Sequence, residues 1–433
     1  ADEAAPLTLP AVTVNAPLAS STVPDTKQSR QKLTQVPGAT SLLDEGDILS
    51  QPSGSLENVL GRAPGVYASN RGGDELRLSI RGSGLSQAFA VKGVRYLRNG
   101  MPLSEADGDF HSQVIEPLTA SHIEIYRGGN ALEYGASVLG GAINFVTHTG
   151  YTAPKLTARS EVGSDGYLRG HLASGQVLDN GWDYFAALST SQLDGYRDQQ
   201  ATDSTRFYGN LGKRWNARHE SRLHLDIQDH QQELPGSLTL ADLKQDPTQA
   251  SGFFETFDSQ NNFERYRGEW QHTVSLADNN QLSFAAFHEA QQIDHPLGFG
   301  IFDEDQRNSG VSYRHQLHHD NQQQQLVHGG QVLIGDIDLR EFEPQPGAVR
   351  GPLRGIEESD ILTAEWYLEN RWQLNEQVTF IAGSQLAHAK RKTRFTDPVS
   401  SNSVTLSERY TGVSPKLGLL WQATPQVQGF ANL

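Results

Sequence analysis

The side chains able to do chemistry are concentrated in a few places. Between Ser104 and His111 the chain carries Glu105, Asp107, Asp109 and His111. Oxygen and imidazole groups this close could hold a divalent cation, but a solvated acidic loop is the simpler reading, and no metal site is assigned. Arg71, Arg95, Arg340, Arg350 and Arg354 could offer guanidinium forks to an anionic chelate. Of the 15 histidines, His315, His318 and His319 fall near an expected tight turn, and the pairs His219/His224 and His288/His295 read as ordinary strand residues. There is no cysteine, which removes disulfides, thiolate metal sites and thiol nucleophiles together. No G-x-S-x-G elbow, phosphate loop or H-E-x-x-H is found. The reading is therefore a protein that is not an enzyme, with no catalytic residue and no cofactor.

Composition narrows the class. Lys plus Arg is 35 and Asp plus Glu is 51 over 433 residues, a net charge of -16, the wrong sign for a nucleic-acid binder. No run of 18 apolar residues exists, so a helical membrane span is not expected, whereas a β-barrel span needs no such run. The start, Ala1-Asp2-Glu3-Ala4-Ala5-Pro6, is small, polar and acidic and reads as a mature terminus in a secreted or envelope protein.

Three textures follow one another along the chain. Residues 1–40 are rich in Ala, Pro, Ser and Thr, and Pro6, Pro10, Pro17 and Pro24 predict an extended tail without helix. Within it Ala11, Val12, Thr13, Val14, Asn15 and Ala16 form a β-type patch. Such a patch could donate a strand to a partner's sheet edge or stay unbound. Residues 41–152 predict a small α+β domain, with a helix at 55–60 and strands at 76–80, 94–97, 122–126 and 142–146, cornered by turns such as Asn99-Gly100. Residues 153–433 alternate. Trp182, Tyr184, Ala186 and Leu188 share one face, and Leu223, Leu225 and Ile227 interleave with His224, Asp226 and Gln228. One apolar and one polar face, repeated over about thirteen strands, fits a wall between lipid and a wet lumen. Short turns alternate with longer loops, expected at 194–203, 234–262, 295–307, 342–358 and 396–405. An odd, open wall predicts that the sequence is part of a longer chain.

The second segment resembles the plug domain of TonB-dependent outer-membrane receptors. The resemblance rests on Asn58-Val59-Leu60-Gly61-Arg62-Ala63-Pro64-Gly65-Val66, Leu78-Ser79-Ile80-Arg81-Gly82, Leu97-Arg98-Asn99-Gly100-Met101-Pro102 and Ile123-Glu124-Ile125-Tyr126-Arg127-Gly128-Gly129, in the family's order. The sequence has Asn99-Gly100 where the family usually has Asp-Gly; Asn tolerates the same turn. Residues 414–419, Ser-Pro-Lys-Leu-Gly-Leu, are similar to a barrel strand of that family, and residues 234–239, Leu-Pro-Gly-Ser-Leu-Thr, to a loop of ferric-citrate-type receptors.

The resemblance implies a mainly β fold, a transmembrane antiparallel β-barrel of about 22 strands plugged by the α+β domain, in the outer membrane of a Gram-negative bacterium. It implies that residues 11–16 are the TonB box, paired with TonB and its inner-membrane energising complex. Arg81, Glu124 and Arg127 would lock plug to barrel, or else be ordinary solvated charges. Ligand would sit between plug apices and loops, against Arg71, Asp74, Ser83, Gln87, Arg95, Asp107, Asp109, His111, Arg350 and Arg354. The implied activity is import of a metal chelate, a ferric siderophore or citrate-like complex. A zinc or nickel metallophore or a cobalamin is the alternative ligand, and a passive porin or adhesin is the alternative class. The expected partners are TonB, the chelate, outer-membrane lipid and lipopolysaccharide, with a monomeric chain and no nucleic acid.

Overall fold

The computed structural model describes residues 19–51, 56–72, 75–83, 93–135, 138–319, 323–424 and 426–433. The first regular element corrects the reading of an extended tail. Helix α1 (Thr26–Thr34) opens on Asp25, whose carboxylate accepts from the Gln28 backbone N–H while Gln28 reaches back to Asp25, a capping box. Pro24 precedes the cap and the next proline is Pro37, so nothing between them interrupts helical hydrogen bonding.

Beyond α1 the strands β1 (Thr40–Asp44), β2 (Val66–Gly72), β3 (Glu75–Ile80), β4 (Val94–Arg98), β5 (Met101–Pro102), β6 (Ala120–Arg127) and β7 (Gly141–Thr147) alternate with the short helices α2 (Glu45–Leu49) and α3 (Leu56–Leu60). Five of these strands form one sheet in the order β1-β6-β7-β4-β5, with β4 parallel to β7, and β2 and β3 form a hairpin. Asn99 and Gly100 both have positive φ and turn β4 into β5. The core gathers Val59, Leu60, Ile80, Tyr96, Ile123, Ile125 and Ile143, with Tyr96 stacked on Phe110 at 3.8 Å.

The rest of the described chain is a single meander. It runs through β8 (Thr157–Val162), β9 (Leu168–Val177), β10 (Trp182–Leu193), β11 (Thr202–Asn216), β12 (His219–Gln232), β13 (Asn262–Ala277) and β14 (Asn280–Leu297). It continues through β15 (Gly300–His319), β16 (Gln324–Gln345), β17 (Val349–Gln373), β18 (Val378–Thr396), β19 (Ser403–Thr424) and β20 (Val427–Asn432). Each strand pairs with its neighbours in sequence, giving a 13-stranded antiparallel sheet with β8 and β20 at its edges. The barrel wall is partial and not closed.

Burial along these strands is inverted relative to a water-soluble protein. On β12, Arg222, His224, Asp226 and Gln228 are buried, while Leu223 is 56% and Leu225 46% exposed. The polar face lies against the plug and the apolar face outward, as a wall facing hydrocarbon requires. Two expected loops, 295–307 and 342–358, are corrected to strand. Pairing continues through His295↔Phe302 and Leu297↔Gly300, leaving a two-residue turn. It continues again to Gln345↔Val349, where Gly347 and Ala348 take positive φ. The loop between β12 and β13 keeps its length and carries helices α4 (Leu240–Gln245) and α5 (Gly252–Thr256).

Candidate functional site

The plug meets the wall in three zones, beginning at its apex. There Tyr96 and Phe110 hold the ends of the loop that contains Glu105 to Asp109. Ala106 N–H donates to Asn308 Oδ1 at 3.1 Å, and its carbonyl accepts from Thr363 Oγ1 at 2.9 Å and Arg391 Nη2 at 3.0 Å. Glu105 is buried with its Oε1 3.4 Å from His111 Nε2. Burial first, and then the carboxylates of Asp107, Glu289, Asp109 and Glu304, push the Glu105 carboxyl well above its ordinary range. Among the described residues no three His, Asp or Glu side chains are arranged to hold a metal ion.

The second zone is a buried ionic belt. Arg98, at the end of β4, pairs with Asp226 on β12 at 2.5 Å and Glu269 on β13 at 3.0 Å, its guanidinium over the Tyr208 ring. The wall carboxylates are not left to Arg98 alone: Arg265 bridges Asp226 and Glu289, and Arg267 bridges Glu269 and Glu289. Arg267 also donates to the Pro102 carbonyl at 2.7 Å. Nearby, Glu116 of the plug accepts from Arg169 of β9. Buried charges persist only when paired in this way.

The third zone lies at the tight-turn end. Glu220 on β12 accepts from Ser20 Oγ at 2.5 Å, Ser21 N at 2.9 Å, Ser21 Oγ at 3.1 Å and Thr22 Oγ1 at 2.9 Å. Arg214 and Arg222 are each 3.1 Å from the same carboxylate. Further along the N-terminal segment, Lys32 of α1 is 2.6 Å from Glu133, which is also 3.3 Å from Arg314 of β15. Burial alone would raise the Glu133 pKa, but Lys32 and Arg314 reverse this and hold it well below the carboxylate range. Between plug and wall a cavity of about 590 Å³ is lined by residues from both.

Several expected site residues are distributed differently. The residues expected to lock plug to wall have these partners among the described residues. Glu124 Oε2 accepts from Tyr126 and Asn144, both inside the plug, and Glu124 Oε1 has no hydrogen-bond partner among the described residues. Arg127 donates to Ser41 Oγ on β1 at 2.8 Å, and Arg81 occupies an exposed turn at φ 54°. Among the described residues, ion pairs across the gap include those of Arg98, Glu116, Glu133 and Arg95. Of the expected ligand residues, Asp107, Asp109 and His111 share the apex loop, and Ser83 sits in the turn after β3. Arg95 is buried 3.9 Å from Glu365, away from that loop. Arg350 forks onto Asp303 and Asp294. Those carboxylates belong to the outward rows of β14 and β15, so Arg350 turns away from the lumen. Arg340 is exposed 3.9 Å from Asp338, and Arg354 donates to the Phe299 carbonyl. Arg71 lies on β2. Asp74, Gln87 and residues 11–16 lie outside the described residues.

Sequence reading did not anticipate Glu220, Glu133 or the belt. The available signal was parity: Arg265, Arg267 and Glu269 recur at every second residue, opposite Tyr266 and Trp270, so charge occupies the face that must be inward.

With this geometry in place, comparison with known proteins is specific. Residues 32–142 match the family model described as TonB-dependent Receptor Plug Domain, and residues 150–433 match TonB dependent receptor-like, beta-barrel. The chain is 31% identical over 200 residues to the Vitamin B12 transporter BtuB of Photobacterium profundum, an alignment covering 44% of this chain and 31% of that protein. It is 27% identical over 181 residues to the Ferrichrome outer membrane transporter/phage receptor of Escherichia coli, covering 40% of this chain and 23% of the relative. Among solved structures, the unliganded ferric citrate transporter FecA superposes with a TM-score of 0.80 at 18% identity, over 93% of this chain and 63% of that one. The chain thus spans about a third or less of the length of these curated relatives and under two thirds of the solved neighbour.

Proposed function

The chain belongs to the TonB-dependent receptor family, and from that premise we propose that it is part of an outer-membrane active transporter that imports a metal chelate into the periplasm. The family is one of transporters and receptors of the Gram-negative outer membrane, not of enzymes. The observation that carries the reading is the buried belt from Arg98 to Asp226 and Glu269, which fixes a folded plug inside an apolar-skinned wall. A passive pore has no use for a plug held by desolvated ion pairs. An importer does, because such pairs specify one seated position yet add little net stability over apolar contacts.

In this reading residues 41–152 form the plug and residues 153–433 the first part of the barrel. Chelate approaches from the long-hairpin side and meets the apex loop at Asp107, Asp109 and His111. Residues 11–16 engage TonB, and tension from the inner membrane moves the plug. The protein works as a monomer and needs no cofactor; the metal arrives as cargo. A ferric chelate is the first candidate cargo, and the 31% identity to a vitamin B12 transporter makes a cobalamin the second.

The test is uptake by energised cells whose only relevant receptor carries this chain, supplied with radioiron as ferric citrate or ferrichrome, or with radiocobalt as cyanocobalamin. Accumulation is expected for one of them and is expected to be lost on deletion of residues 11–16. Uptake that survives the deletion removes the coupling claim.

A further inference from the structure

The wall above the apex loop carries charge of one sign. Ala106 bonds Asn308, Thr363 and Arg391, and from that level the inward rows of β14 to β18 run on toward the long-hairpin side. Register places them in tiers. Gln291 pairs with Gln306 in the first, and Glu304, Leu339 and Glu357 follow one another across β15, β16 and β17 in the second. Ile293 and Phe395 flank those two glutamates. In the third tier His295 stands opposite Phe302, with ring centroids 6.4 Å apart. Neighbouring strands lie about 4.8 Å apart, so Glu304 and Glu357 are separated by roughly 10 Å across the tier.

The cations around this space are engaged elsewhere. Arg391 gives its guanidinium to the carbonyls of Ala106, Leu362 and Lys390 and to Thr363 Oγ1. Arg265 and Arg267 belong to the buried belt, and Arg354 is 3.5 Å from Glu341. The carboxylates are different. Glu304 accepts from the Gln306 amide, Glu357 from Ser359 Oγ at 3.2 Å, and Asp107 and Asp109 from backbone N–H groups. Glu105 has only His111 near it, at 3.4 Å. Among the described residues none of these five lies within ion-pair distance of a Lys or Arg.

A second, independent observation points to a ligand. Gln291 and Gln306 are 3% and 5% exposed, and Gln291 Nε2 and Gln306 Oε1 have no hydrogen-bond partner among the described residues. They sit side by side on the inward face, between Glu304 and the level of the apex loop. A buried donor and a buried acceptor left open together are costly unless an occupant meets them.

We propose that this vestibule is a binding site for an organic cation, an ammonium or guanidinium group carried by the incoming solute. The charged group seats between Glu304 and Glu357, its polar edge bonds Gln291 and Gln306, and its hydrocarbon part packs on Ile293, Leu339 and Phe395. A cleft lined by one sign of charge concentrates ligand of the opposite sign and repels the rest. Arg350 and Arg340, expected to fork onto an anionic chelate, are paired with Asp303 and Asp338 instead. The proposal rests on the transporter reading above and adds the charge class of its cargo: a cationic complex ranks above a neutral one, and an anionic one such as ferric citrate ranks last.

The probes are hexaamminecobalt(III) and hexacyanocobaltate(III), inert octahedral complexes, one triply positive and one triply negative. Each is titrated calorimetrically into the purified full-length receptor in neutral detergent. The cation is expected to bind about tenfold or more tighter than the anion, and Glu304→Gln combined with Glu357→Gln to weaken it about tenfold or more. Asp305→Asn combined with Glu358→Gln removes the same charge from the adjoining outward rows, where Asp305 meets Gln292 and Glu358 meets Arg394. That pair is expected to change binding by about twofold or less, because exposed charges are screened. Asp107→Asn, in the apex loop, replaces the inward pair if it does not fold. Equal binding of the two complexes, or equal loss from inward and outward variants, means diffuse surface charge and overturns the proposal. Energised uptake that needs residues 11–16 then still leaves the transporter reading standing. Charge-selective binding lost only from the inward variants, with no such uptake, keeps the site and overturns the transporter reading.

Discussion

Arg98 has its guanidinium buried between two wall carboxylates and the Tyr208 ring, so its charge is specified from three strands at once. Arg98→Met keeps much of the stem and removes the charge. Asp226 still has Arg265, and Glu269 still has Arg267, so the cost is expected near the lower end of the ~3–5 kcal/mol for breaking a buried pair. Hydrogen exchange of β4 and β6 amides in purified receptor should rise; unchanged exchange would show that the pair does not seat the plug. His148 contributes to the response to acid, together with other buried histidines held low such as His122. Burial, and then the neighbouring His122, lower the His148 pKa to about 4, so the fold rejects a proton that the unfolded chain accepts near ~6.5. Its contribution is complete above about pH 6.5 and is lost as the pH falls toward 4, at most roughly 3 kcal/mol at ~1.4 kcal/mol per unit. Glu133, held low, contributes fully above ~4.3 and is lost only below that. Thermal melts between pH 7 and pH 4 should therefore fall in part through His148. His148→Gln should flatten that limb, and a variant that melts like the parent excludes this group as the cause.

At the scale of elements, α1 is capped at its start and held in its middle by Ser29 against His122. Asp25→Ala removes the capping box and is expected to cost about 1 kcal/mol, read as roughly fivefold faster amide exchange across residues 26–34 with the sheet unaffected. Exchange that also rises across β6, where His122 meets Ser29, would mean that helix and sheet unfold together. Why α1 was hidden in the sequence is also physical. Four prolines set the texture of the first 24 residues, and the helix is short, lacks an acidic first turn and buries only Ser29 and Leu33. The strands at β3, β4, β6 and β7 were legible because Gly and Asn mark their ends, whereas β2, Val66–Gly72, includes Ala68, Ser69 and Asn70 and carries no apolar alternation. The hairpins at 297–300 and 345–349 read as loops because proline and glycine there signal a turn without saying how far pairing reaches toward it. The candidate site was legible only as types. Sequence gives Arg98, Glu133 and Glu220 their charge, but which carboxylate faces which cation depends on strand register and on where the plug sits.

For the molecule as a whole, the controlling fact is which face of the wall is apolar. Alternation alone fixed two faces and left their assignment to the neighbours. The plug decides it, because a polar domain in the lumen draws Arg222, His224 and Asp226 inward and leaves Leu223, Leu225 and Ile227 out. A water-soluble protein with the same strands would turn the sheet over. The assignment predicts opposite outcomes for neighbouring positions on β12. Leu225→Arg puts a cation into hydrocarbon and is expected to cost about 2–4 kcal/mol if Leu225 is near mid-membrane, less toward an interface. Gln228→Arg, two strands from Glu289 and on the wet face, costs no such transfer and acts only through crowding against Gln113, whose carbonyl Gln228 bonds. Folding yield into lipid vesicles, followed by the mobility shift of the folded barrel on unheated gels, separates the two. Leu225→Arg should fold poorly in thick bilayers and recover in thin ones, where the polar boundary comes closer. Equal yields for Leu225→Arg and its parent at every thickness would place that face in water, and with it go the membrane assignment, the plugged lumen and the import reading built on them.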